Sequence, residues 1–287
     1  MRNRSLQGGR YVKIGMIGTG NMGKILIEAM VEGKAISPED LFIYNRTKTK
    51  ALDIKKSYPA INISANNQEI AKNTDLIFLC VKPHDTFSVA KLIAPYLKSH
   101  QCVVSITSPI NPIQLESVLP CSVARIIPSI TNRALAGVSL FSFGNHCTDQ
   151  WKTELWMMFE NFSTPLEIED SITRVASDIV SCGPAFFSYL TQRFIDGAVE
   201  ETNIDEQTAT KLASEMLIGL GELLKKEIYT LPTLQEKVNV KGGITGEGLN
   251  ILEQQLGDIF NQLFQATQLK FEDDQSSLKH LVSGTKE

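Results

Sequence analysis

Short apolar runs alternate with helix-length amphipathic stretches through the first half of the chain, and amphipathic stretches alone fill the second. Residues 12–17, 41–44, 61–64, 76–81, 102–107 and 123–127 read as strands, with 138–143 as a candidate further one. Helical patterns separate them, the first carrying Ile25, Leu26, Ala29 and Met30 on one face. This alternation predicts an α/β fold, a Rossmann-type doubly wound parallel sheet, whose ligands lie beyond the carboxyl ends of the strands. From about residue 168 the period is helical, over roughly 172–202, 205–227, 234–239 and 248–269. Leu212, Met216, Gly219, Leu220 and Leu223 share one face, and Leu249, Leu252, Leu256, Ile259 and Leu263 another. Such stripes are packing surface, and they predict an all-α C-terminal domain with a dimer interface. The expected organisation is a disordered leader over 1–11, a nucleotide-binding domain over 12–168, a helical domain over 169–270 and a frayed polar tail over 271–287.

The first joint between strand and helix carries the clearest chemistry. Ile14-Gly15-Met16-Ile17-Gly18-Thr19-Gly20-Asn21-Met22-Gly23 is an apolar strand that breaks into glycines spaced G-x-G-x-x-G and then becomes helical. Dinucleotide binding needs this order: one glycine for the turn, one for backbone approach to a pyrophosphate, one for helix packing on strand. Ile17, Gly18, Thr19, Gly20, Asn21 and Met22 are therefore candidate cofactor contacts. An NAD enzyme usually places an acid about 20 residues further on, to hold the ribose hydroxyls. Here the end of the second strand reads Asn45-Arg46-Thr47-Lys48, which suits a 2′-phosphate and favours NADPH over NADH. A solvated basic helix start is the alternative reading. The central strand ends Cys80-Val81-Lys82-Pro83, where proline fixes a loop expected to pass the cofactor ribose. Ser108 and Ser129 end the next two strands on the nicotinamide side, although serines there commonly only form turns.

Composition narrows the class. With 287 residues and 43% hydrophobic content the chain can bury a full core in two domains. A net charge of -4 without a long basic run gives no reason to expect nucleic acid or an anionic membrane. Cys80, Cys102, Cys121, Cys147 and Cys182 are scattered, odd in number and lack a C-x-x-C pair, which argues against a disulfide framework and a zinc site. No apolar run approaches the ~18 residues of a membrane span, and residues 1–10 lack a signal core. The expectation is a soluble cytoplasmic protein. His84, His100, His146 and His280 have no motif context and read as surface or structural residues.

Two places in the helical half depart from plain helix. In Asp178-Ile179-Val180-Ser181-Cys182-Gly183-Pro184-Ala185 a Gly-Pro pair must kink the helix or start a new one. Val240-Lys241-Gly242-Gly243-Ile244-Thr245-Gly246-Glu247-Gly248 is a glycine loop leading into a helix, and reads equally as a carboxylate cradle of exposed N–H groups or as a hinge.

Taken together, Gly18-Thr19-Gly20-Asn21-Met22-Gly23, Val81-Lys82-Pro83, Arg125-Ile126-Ile127-Pro128, Ser181-Cys182-Gly183-Pro184-Ala185 and Gly242-Gly243-Ile244-Thr245 resemble pyrroline-5-carboxylate reductases over nearly the whole chain. The resemblance implies reduction of 1-pyrroline-5-carboxylate to L-proline by NADPH, a Rossmann domain, and a helical domain that interlocks two subunits. It also implies that Asn66 contacts the cofactor and that Thr245 hydrogen-bonds the pyrroline nitrogen. Cys182, Gly183, Gly242, Gly243 and Ile244 would line the substrate, with the 242–245 backbone holding its carboxylate.

Departures fall on the substrate side. Ile127-Pro128-Ser129-Ile130-Thr131 stands where the family has Met-Pro-Asn-Thr-Pro, and Ser181-Cys182-Gly183-Pro184-Ala185 where it has Gly-Ser-Gly-Pro-Ala. Val240-Lys241-Gly242-Gly243-Ile244-Thr245-Gly246 replaces a Ser-Pro-Gly-Gly-x-Thr-Thr-like loop. In this the chain is similar to ComER-type paralogues of the family, encoded beside late competence genes. A second reading therefore stands beside the reductase: a catalytically weakened, cofactor-binding regulatory or interaction protein in competence or sporulation.

Overall fold

The computed structural model describes residues 12–283, so the expected leader over 1–11 and residues 284–287 of the expected tail lie outside the described residues. Strands β1 (Ile14–Ile17), β2 (Leu41–Tyr44), β3 (Asn62–Ile63), β4 (Leu76–Leu79), β5 (Cys102–Ser105), β6 (Ser122–Ile127), β7 (Val138–Phe143) and β8 (Thr164–Glu167) form one sheet in the order β3-β2-β1-β4-β5-β6-β7-β8. Helices α1 (Asn21–Glu32), α2 (Lys48–Ser57), α3 (Asn67–Asn73), α4 (Pro83–Ile93), α5 (Pro112–Glu116) and α6 (Asp149–Phe159) connect the strands. Ile17 pairs with both Tyr44 and Leu79, so β1, β2 and β4 end in register and bring Gly18, Asn45 and Cys80 to one edge.

The strands are apolar on both faces because both are covered. Met16, Phe78, Val104 and Phe141 pack with Leu26, Met30 and Phe159, while Ile17, Ile77, Leu79 and Val103 pack with Phe87, Ile110 and Leu115. The fold is the expected Rossmann-type sheet, with two differences in its last third. Strand β7 runs antiparallel to β6, because a short 3₁₀ turn over Ile130–Ala134 and positive-φ residues Leu135 and Gly137 reverse the chain without a crossover helix. Strand β8, parallel to β7, has no signature in the sequence: Thr-Pro-Leu-Glu has no alternation, and its proline is tolerated at a sheet edge.

Two compact units divide the chain. One runs to Pro184 and resumes at Ala266; the other is Ala185–Gln265. The division falls after the expected 168/169 boundary. In the first unit α7 (Thr173–Ser177) leads into a single π-helical turn, Asp178–Cys182, and then into α8 (Gly183–Glu201). The second unit contains the rest of α8, then α9 (Glu206–Lys225), α10 (Leu231–Val238), α11 (Ile244–Leu256) and the start of α12 (Ile259–Ser283). Asp205 caps α9 by accepting from the Thr208 N–H, and Thr230 with Thr233 forms a capping box on α10. Ile195, Ala209 and Ala213 make a small core there, while Phe187, Phe194, Leu212, Met216 and Leu252 stay exposed.

Three expectations for this half are corrected. The helix read over 248–269 is two helices, because Gly257 at φ 46° breaks it. Helix α11 starts at Ile244 rather than at Gly248, so Thr245 and Gly246 belong to its first turn. Residues 271–283, expected to fray, continue α12, held by the buried side chains of Phe271 and Leu278. Among the described residues no helix is long and apolar enough to cross a membrane.

Candidate active site

The glycine loop closes over the ends of β1, β2 and β4. Gly18 adopts φ 100°, and a Cβ there would press into the Cys80 carbonyl, so the position requires glycine. Its N–H donates to the Tyr44 carbonyl at 2.8 Å. The next N–H, of Thr19, donates to Asn45 Oδ1 at 2.9 Å, and Asn45 Nδ2 donates to the Thr47 carbonyl at 2.9 Å. Asn45 thus ties the loop to the end of β2 where an acid would sit in an NAD site. Helix α1 starts from Gly20 with no side-chain cap, leaving its first N–H groups directed outward beside exposed Asn21 and half-buried Met22. A Cβ on Gly20 would meet no described heavy atom within 4 Å, whereas one on Gly23 would strike the Gly18 carbonyl. Thr19 is buried, and its Oγ1 has no hydrogen-bond partner among the described residues. An orphaned hydroxyl beside an uncapped helix start with open space above it fits a pyrophosphate.

Around this loop the other candidates fall at strand ends. Arg46 is exposed just before α2, whose first turn carries no acid. Asn66 caps α3, its Oδ1 accepting from the Glu69 N–H at 2.8 Å. Lys82 caps α4 with Pro83 in the first helical position, and half-buried Val81 packs against the core. Half-buried Cys80 donates its Sγ to Met16 Sδ at 3.0 Å, and burial pushes its thiol pKa up, making it an inert wall residue.

Ser108 and Ser129 have structural work. The Ser108 carbonyl accepts from Arg125 Nη1 at 3.0 Å. Ser129 is fully buried and its Oγ donates to the Val180 carbonyl at 2.7 Å, so its hydroxyl braces the π-helical turn. Arg125 itself is only 2% exposed, and Nη2 donates to Ser142 Oγ, Asp170 Oδ1 and Thr173 Oγ1 at 3.0, 2.9 and 2.7 Å. Burial lowers its pKa while the Asp170 carboxylate opposes that shift. Arg125 belongs to the Arg125-Ile126-Ile127-Pro128 motif, and a charged residue inside an apolar strand is the sequence signal of its role.

On the substrate side, half-buried Cys182 and buried Gly183 sit where the π-helical turn passes into α8. Arg174 Nη2 lies 3.5 Å from Cys182 Sγ, and burial raises that thiol's pKa. In the second unit, Gly242 turns the chain at φ 76° and Gly243 caps α11 without a side-chain bond. Ile244, at 93% exposed, and exposed Thr245 open the helix. Here too backbone N–H groups at a helix start are left for an anion.

Comparison with known proteins follows this division. The family model for "Pyrroline-5-carboxylate reductase dimerisation" matches residues 170–273, and that for "NADP oxidoreductase coenzyme F420-dependent" matches 13–109. ComE operon protein 4 of Bacillus subtilis is 53% identical over 93% of this chain and 98% of its own. Pyrroline-5-carboxylate reductase 3 of the same organism is 30% identical over 91% and 96%. The chain belongs to the pyrroline-5-carboxylate reductase family. Among solved structures, the Plasmodium falciparum pyrroline carboxylate reductase with NADP bound superposes with a TM-score of 0.80, at 24% identity over 92% of this chain and 97% of that one. The Coxiella burnetii reductase gives 0.80 at 20% identity over 92% and 99%. Membership makes this an NADP-type oxidoreductase fold, and the region matched by the dimerisation model contains the exposed apolar residues of α8 and α9.

Proposed function

We propose that the protein reduces 1-pyrroline-5-carboxylate to L-proline. The observation that carries this reading is the helix start at Gly243, with a positive-φ Gly242 before it and Thr245 in its first turn, in a chain that also offers an uncapped α1 start. NADPH, when bound, supplies the hydride. The loop from Ile17 to Met22 holds the pyrophosphate, with Thr19 Oγ1 gaining the partner it lacks; Arg46 attracts the 2′-phosphate. Asn45, Asn66, Cys80, Val81, Lys82 and Pro83 shape the path of the ribose, and Ser108 stands at the next strand end.

The imino acid needs little more than orientation, since a protonated cyclic imine is already electrophilic. The N–H groups at the start of α11 hold its carboxylate, aided by the dipole of that helix. The Thr245 hydroxyl accepts from the ring N–H, and Cys182 and Gly183 keep the substrate-lining role that the family resemblance implies. Two subunits associate through the helical region.

Following NADPH oxidation by absorbance with pyrroline-5-carboxylate tests this. Thr245→Ala should lower kcat by about 100-fold, the scale on which loss of one hydrogen bond to a reacting group is felt. A wild type that turns over while Thr245→Ala is unimpaired removes Thr245 from the chemistry. The second reading, a weakened paralogue acting as a regulatory or interaction protein in competence or sporulation, draws on the greater identity to ComE operon protein 4 and on Cys182 being engaged by Arg174. It predicts NADPH binding without turnover in either protein.

A further inference from the structure

We propose that Asp178, Arg174 and Thr267 are positioning residues for the substrate-side turn at Cys182 and Gly183, so that seating of the C-terminal helix sets affinity for the imino acid. The inference rests on the reductase reading for its substrate, but not for its geometry.

The π-helical turn Asp178–Cys182 carries the argument. A π turn is strained relative to an α-helix and persists where surrounding structure holds it. Here it is held from two directions within the first unit. From the end of β6, Ser129 Oγ donates to the Val180 carbonyl at 2.7 Å and Ser181 Oγ donates to the Pro128 carbonyl at 2.8 Å. From α12, Thr267 Oγ1 donates to Asp178 Oδ2 at 2.7 Å. The other carboxylate oxygen of Asp178 accepts from Arg174 Nη2 at 2.8 Å, and the same nitrogen reaches Cys182 Sγ at 3.5 Å. Phe271, one helical turn beyond Thr267 and buried, lies under the Arg174 guanidinium with 5.7 Å from its ring centroid.

Asp178 is 1% exposed, so water does not stand in for a missing donor. A buried carboxylate that loses one of two donors is costly until it moves, and its other donor moves with it. That donor is Arg174, which touches the Cys182 sulfur. A chain of contacts therefore runs from the hydroxyl of Thr267 through Asp178 and Arg174 to a side chain assigned to the substrate wall. A purely structural pin would cost stability and leave Cys182 undisturbed.

The test compares wild type with Thr267→Val, which keeps shape and loses the hydroxyl, and with Thr267→Ser, which restores it. The first measurement is the alkylation rate of Cys182 by iodoacetamide in the folded protein, read by mass spectrometry. Buried Cys102, Cys121 and Cys147 are internal controls. Thr267→Val should raise the Cys182 rate about tenfold, as expected for loss of a hydrogen bond to a charged group, with Thr267→Ser near wild type and the controls silent. The second is steady-state kinetics: Thr267→Val should raise KM for pyrroline-5-carboxylate about tenfold, with kcat and NADPH affinity within about twofold. An unchanged Cys182 rate, a parallel rise in the buried cysteines, or an unchanged KM beside a faster Cys182 overturns the proposal. A wild type without turnover sinks the reductase reading instead, and the alkylation series alone then decides the positioning role.

Discussion

Gly20→Val should abolish NADPH binding and leave the protein folded. The two outcomes separate because Gly20 differs from its neighbours in what surrounds it. A Cβ at Gly20 meets no described heavy atom within 4 Å, and the residue is extended at φ -71°, ψ -165°, a conformation that a β-branched side chain accepts. As the N-cap of α1 it contributes no side-chain bond, so replacing it costs at most about 1 kcal/mol, or roughly 2–4 °C in Tm. The open space above it, however, is the room proposed for a pyrophosphate at the helix start. An isopropyl group there blocks backbone approach and should weaken NADPH by at least about 100-fold, equivalent to about 2.7 kcal/mol. Gly18→Ala and Gly23→Ala provide the contrast, since each drives a methyl group into a backbone carbonyl and should lose stability along with binding. NADPH fluorescence titrations beside thermal melts read both quantities. Normal binding by Gly20→Val would move the pyrophosphate away from this loop.

The glycine loop was legible in the sequence because several independent demands converge on a few adjacent residues. The apolar strand before it, the helix after it and the spacing between glycines each leave a local mark, and the register of β1 with β2 and β4 then places Asn45 and Cys80 beside it. Where structure depends on distant partners the marks fade. The antiparallel direction of β7 is set by a turn with two positive-φ residues, Gly137 and also Leu135, which no turn preference would suggest, and β8 exists because β7 offers it an edge. The last helix leaves little mark for a similar reason. Phe271 and Leu278 are isolated apolar positions among polar ones, and only the surface they meet makes them anchors. On the substrate side the Gly242-Gly243 pair was visible, but its start of α11 was placed too late, since Thr245 and Gly246 are weak helix formers that a glycine cap nevertheless admits. Ser129 shows the limit of reading residue type by position: at a strand end a hydroxyl serves a ligand or a backbone carbonyl equally well, and here the Val180 carbonyl takes it.

Arg125→Ala should strongly destabilise the first unit, by about 2–5 kcal/mol, the range for emptying a large buried side-chain volume and leaving buried acceptors without their donor. The sign is not obvious from burial alone. Desolvation of a guanidinium that is nearly inaccessible opposes folding, which is why its pKa is lowered, and Asp170 at 55% side-chain exposure is too well solvated to compensate fully. What settles the balance is the set of acceptors. The Ser108 carbonyl, Ser142 Oγ and Thr173 Oγ1 join Asp170 around one planar fork, tying β6 to β7 and to the start of α7. Alanine leaves those groups without their donor and opens a cavity of side-chain size in a packed strand. Arg125→Lys should recover less than half the loss, because an ammonium cannot span acceptors on both sides of the fork. Asp170→Asn should cost only about 1 kcal/mol, since the remaining acceptors stay and the lost charge is partly screened. Urea unfolding monitored by tryptophan fluorescence gives the ordering, with Trp151 and Trp156 on α6 reporting on the same unit. Should Arg125→Ala prove no more costly than Asp170→Asn, the ion pair would outweigh the hydrogen-bonded fork, and α7 would owe its place to packing.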